Sequence, residues 1–126
     1  MLLLAYAIAV LHGTAIAFMV IGGVLALRWP RLLWLHVPVS LVILGLHLAG
    51  SDCPLTTLEL HLRARAGVPG YSDGWIGHYV LAPVGVDVHS TPAQIGQFTV
   101  ALVPNLVAYG ILVARALRRQ VRPVAR

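Results

Sequence analysis

LLLAYAIAVLHGTAIAFMVIGGVLAL, residues 2–27, followed by RWPR, residues 28–31, decides the fold class. The first stretch holds no charged side chain and exceeds the ~20 helical residues that cross a ~30 Å hydrocarbon layer, so it predicts a transmembrane helix. Arg28, Arg31, an interfacial Trp29 and the helix-breaking Pro30 then end it. So short a connection sends the next helix back antiparallel. Residues 32–50 form that second span, near the minimum length, with Pro38 bending it near its start. Residues 93–114 form a third, containing Pro104 and ending in a basic tail over 115–126. The first segment is read as retained, because its apolar run continues past Ala15-Ile16-Ala17 and outlasts a signal core of about 7–15 residues.

Composition agrees. The chain has 126 residues, 59% hydrophobic and 10% charged, against about 25% charged in soluble domains. Its basic excess is entirely arginine, which suggests nucleic acid only until the positions are read. Arg28 and Arg31 lie between apolar segments, and Arg115, Arg118, Arg119, Arg122 and Arg126 follow the last one. Membrane topology accounts for them, and no nucleic-acid partner is expected.

All four acids, Asp52, Glu59, Asp73 and Asp87, fall within residues 51–92, with Arg63, Arg65 and many glycines and prolines. This stretch reads as a loop outside the hydrocarbon, holding one or two short helices. Leu55, Leu58, Leu62 and Ala66 recur at helical spacing opposite Glu59, Arg63 and Arg65, and Thr56 with Glu59 has the form of a capping box. Trp75 to Leu81 reads as a second short helix or interfacial segment. Seven arginines flank the side of the hairpin turn and tail, against two on the loop side. The positive-inside rule places the tail in the cytoplasm, with the N-terminus and loop outside. The expected fold is therefore an all-α membrane protein of three transmembrane helices, organised as a single membrane domain.

Ala5, Ala9, Gly13 and Ala17 make a small-residue stripe that lets another helix approach closely, within this chain or from a second copy. Counting 1.5 Å per residue from Leu2, Gly50 and Ala93 puts His12, His36 and Asn105 about 15, 21 and 18 Å deep. With Ser40 and Tyr109 nearby they predict a buried polar layer. Its readings are an interhelical hydrogen-bond network, or a proton, metal or haem role, with His12 and His36 as axial ligands of one haem b. His36 and His47 stand ~16 Å apart along one helix and cannot share an ion. In the loop, Cys53, Glu59 and His78 are candidate ligands for a transition metal, although no HExxH or paired CxxC is present. As the sole cysteine, Cys53 allows no internal disulfide.

Arg28-Trp29-Pro30-Arg31, Trp34-Leu35-His36-Val37-Pro38, Cys53-Pro54-Leu55-Thr56 with Leu58-Glu59, then Gly67, Gly70-Tyr71 and Ile76-Gly77-His78-Tyr79 resemble the bacterial membrane family called domain of unknown function 2784. The Cys-Pro-Leu-Thr block followed by the His-Tyr pair is the most specific part. The resemblance implies a small bacterial inner-membrane protein, assigns no activity, and directs attention to His12, His36, Cys53, Glu59 and His78; His47 departs from it. The expected function is a non-enzymatic component that packs in the lipid bilayer against a larger membrane complex or itself. The alternative is a haem- or metal-binding redox component.

Overall fold

Helices account for nearly all the regular structure of the computed structural model, which describes residues 1–121; Arg122 and Arg126 of the tail lie outside the described residues. α1 runs Leu2–Ala26, a single turn of 3₁₀-helix Pro30–Leu32 makes the corner, and α2 returns over Leu33–Leu48. α3, Pro54–Arg65, and α4, Gly74–Ile76, follow, α4 continuing into a π-helical turn Gly77–Leu81 and a 3₁₀ turn Ala82–Val84. α5 is the longest, Thr91–Val121. Among the described residues there is no strand. α1, the Pro30–Leu48 stretch and α5 are each long and apolar enough to cross a membrane. The turn at 28–31 therefore falls as the sequence predicts, while the third helix extends beyond 93–114 at both ends.

α1 is the hub: α2, α3 and α5 all pack on it, and α2 and α5 scarcely meet one another. Side-chain size explains the arrangement. Ala5 and Ala9 are buried on the face of α1 that α3 and Trp75 cover, and Gly13 lies directly under the Trp75 ring. Trp75 holds that position by donating its Nε1–H to the Ala9 carbonyl at 2.8 Å. The small-residue stripe is thus used within the chain over Ala5, Ala9 and Gly13, while Ala17 is exposed. Further along, Gly22, Gly23 and Ala26 form a second set of buried small residues. They admit side chains from α2 and α5.

Two expectations for α3 are corrected. Its buried face carries Thr56, Glu59, Leu62 and Arg63, whereas Leu58 is 43% exposed, so the polar side turns inward. Polar partners from α1 and from residues 69–79 meet that side, and their approach leaves no trace in the local periodicity. The capping box is also absent: Cys53 is the N-cap and Pro54 the first helical residue, with no side-chain cap bond. The Thr56 hydroxyl and the Glu59 carboxylate are occupied elsewhere.

Candidate functional site

The inner polar layer ties α1, α2 and α5 together. His36, 1% exposed, projects from α2 onto Gly22 of α1. Its Nε2 lies 2.9 Å from the Met19 carbonyl and 3.3 Å from Ser40 Oγ; its Nδ1 lies 2.5 Å from the Tyr109 hydroxyl. A carbonyl only accepts, so the proton sits on Nε2 and the Tyr109 O–H donates to Nδ1. Both ring nitrogens are engaged. Asn105 of α5 brackets the same α1 segment: its Oδ1 accepts the Gly23 N–H at 2.9 Å, and its Nδ2 donates to Met19 and Val20 carbonyls at 2.9 and 3.1 Å. Main-chain groups of α1 thereby fix the register of both neighbours.

A Cβ at residue 22 would overlap the His36 imidazole. Gly22→Ala is accordingly expected to cost about 1 kcal/mol, the low end of overpacking penalties, read as a lower melting temperature in detergent.

His12 does not join this layer. Its Nδ1 approaches the Thr56 hydroxyl at 3.4 Å, and its ring tilts against Trp75. Met19, where His36 docks, is seven residues further along α1, or ~10 Å. His12 and His36 are not brought together as an axial pair for one haem. The depth count assumed level helix ends, whereas the part of α1 that carries His12 is covered by Thr56 of α3 and by Trp75.

The outer cluster is built on Glu59, which is 0% exposed. Its Oε2 accepts the Tyr71 hydroxyl at 2.8 Å and its Oε1 accepts the Tyr79 hydroxyl at 2.6 Å. Arg63 Nη1 stands 3.8 Å from Oε1 and donates to the Tyr79 oxygen at 3.2 Å, while Arg63 Nε donates to the Pro69 carbonyl. Tyr71 in turn stacks on His78 with ring centroids 4.2 Å apart. Sequence reasoning flagged Glu59 and His78 but missed both tyrosines. Their only signal was two Tyr residues within a turn-rich loop that holds a lone glutamate on a helix.

Burial pushes the Tyr79 phenol from 10.0 up to about 12, helped by the hydrogen bond to Glu59 and its negative charge. Tyr71 is raised by the same causes in the same order. Because these values lie above those of the unfolded chain, the stability they contribute is complete below pH 10 and is lost as pH rises through about 12. A titration followed by tyrosinate absorbance should show Tyr71 and Tyr79 ionising late, a component lost in Tyr71→Phe and Tyr79→Phe, together with loosening of residues 67–90.

The metal candidates are placed apart in role. Cys53 opens α3, Glu59 is committed to the tyrosines, and His78 stacks on Tyr71. Among the described residues, no three His, Cys, Asp or Glu side chains gather closely enough to hold an ion.

Between α2 and α5 lies a cleft of about 690 Å³, backed by Ile16 and Met19 of α1. His36, Asn105 and Tyr109 close its inner end. Leu41 and Leu44 face Ala101, Leu102 and Leu106 along its middle. The His47 and Phe98 rings meet edge to face across its outer part, 5.1 Å apart. Beyond them the mouth is polar, lined by Asp52, Thr56, Ser72, Asp73, His89, Gln94 and Gln97, with Cys53 beside them. This arrangement suits an elongated apolar molecule with one polar end.

No curated protein and no solved structure matches the chain. One protein-family model does, over residues 2–110, and its description is a protein of unknown function, DUF2784. Nearly all of the bundle and the whole outer cap fall within that match, so the chain belongs to this family.

Proposed function

We propose that the chain is a small integral protein of a bacterial inner membrane, acting without catalysis as an accessory or structural component that packs against a membrane partner or a second copy. The observation that carries this reading is α2. It is apolar all round, yet His36 is its only buried residue, so lipid or another helix must cover the rest. A tight interior next to bare lateral faces leaves those faces free for close approach of a partner helix. Arginine placement supports an N-terminus outside and a C-terminus in the cytoplasm. Arg115 reaches back to the Leu27 carbonyl at 3.2 Å, which sets the basic end of α5 beside the Arg28–Arg31 turn.

Isolation of the full chain from its own membranes in mild detergent tests the proposal. The expected preparation is colourless and metal-free, and crosslinks made in the membrane from the exposed Trp34 and Val42 positions join it to one defined protein. A Soret band that disappears in His36→Ala would replace this reading with the haem-binding one.

A further inference from the structure

We propose that the cleft between α2 and α5 binds a neutral, hydroxyl-bearing membrane lipid of the acylglycerol class, one acyl chain lying in the cleft and the glycerol head at the outer mouth. The inference rests on the reading of the chain as membrane-spanning and goes beyond it in naming a ligand.

Three properties of the cleft select this occupant. The first is length. The section between His36 and His47 is eleven residues of helix, ~16 Å, which matches half of a ~30 Å hydrocarbon layer and hence the depth one acyl chain reaches from its head. The second is volume. The cleft offers about 690 Å³, within the ~300–1,000 Å³ of sites that hold one small molecule.

Charge at the mouth is the third property. Among the described residues no arginine lines the cleft, and the acids Asp52 and Asp73 do. A phosphate head would meet two carboxylates with no arginine to offset them, and the neighbouring base, His89, is already set against Asp73 at 3.7 Å. Hydroxyl groups, in contrast, donate to carboxylates, and ester carbonyls accept from Gln94 and Gln97 amides. The inner end is closed by His36 and Tyr109, whose polar atoms are spent on each other and on α1. Apart from the Ser40 hydroxyl, 3.3 Å from His36 Nε2, that end offers the ligand shape alone, which suits a hydrocarbon terminus.

The test reconstitutes the full chain in phospholipid nanodiscs doped with dioleoylglycerol that carries a photoreactive diazirine in mid-chain. Adducts are expected on Leu41, Leu44 and Leu102, suppressed by unlabelled dioleoylglycerol and unaffected by added phosphatidylglycerol. Ala101→Phe, which fills the cleft, should cut labelling about tenfold, equivalent to ~1.4 kcal/mol. Val100→Phe, on an exposed side of α5, should leave it unchanged. Labelling spread evenly around α1, α2 and α5 overturns the proposal, and so does equal competition by phosphatidylglycerol or a polypeptide crosslinked inside the cleft. In those cases the chain remains in the disc and the membrane reading stands. A chain that stays soluble without lipid ends both.

Discussion

Glu59→Ala is expected to release the outer cap from a bundle that still inserts. The substitution leaves two tyrosine hydroxyls without their acceptor and Arg63, whose side chain is 10% exposed, without its carboxylate. Breaking a buried charged arrangement from one side costs about 3–5 kcal/mol, most of it from the stranded partners. The loss falls on residues 54–81 and spares α2 and α5, which make no bond to the cluster. Limited proteolysis should therefore cut within residues 67–90 far faster than in the parent protein, with the membrane-bound amount unchanged. Glu59→Gln keeps an acceptor oxygen and the side-chain shape, and should lie between the two. Equal protease resistance in the alanine variant would show that the cluster does not hold the cap.

Asn105→Leu should loosen the bundle itself. Leucine keeps the number and branching of the side-chain heavy atoms and removes the hydrogen bonds between Asn105 of α5 and Gly23, Met19 and Val20 of α1. At ~0.6 kcal/mol for each of three interhelical bonds, the expected cost is about 2 kcal/mol. It should appear as a lower thermal midpoint in detergent, with the outer cap keeping its protease resistance. An unchanged midpoint would mean that apolar packing alone sets the register.

Much of this was legible in the chain, for identifiable reasons. A charge-free run longer than the bilayer is thick admits one reading, and two arginines around Trp29-Pro30 leave no room except for a hairpin. Depth counting correctly paired His36 with Asn105, because both helices meet α1 at Met19 to Gly23. The same counting misplaced His12, since it could not register that α3 lies along the outer part of α1. The buried face of α3 was hidden more deeply. Periodicity assigns a helix's inner side by hydrophobicity, and here Glu59 is satisfied by tyrosines 12 and 20 residues away. The cleft was invisible for a related cause: it exists because α2 and α5 both choose α1 over each other, and no local pattern records that choice.

Sidedness of thiol labelling decides whether the chain crosses the membrane three times. Cys53, the sole cysteine, is partly exposed at the start of α3, and Gln120 lies exposed near the end of α5. In intact spheroplasts a membrane-impermeant maleimide should modify Cys53. In a Cys53→Ser background, Gln120→Cys should react only after the membrane is opened. Reaction of both positions from the same side would contradict three crossings, and with them the account of the cap, the polar layer and the cleft.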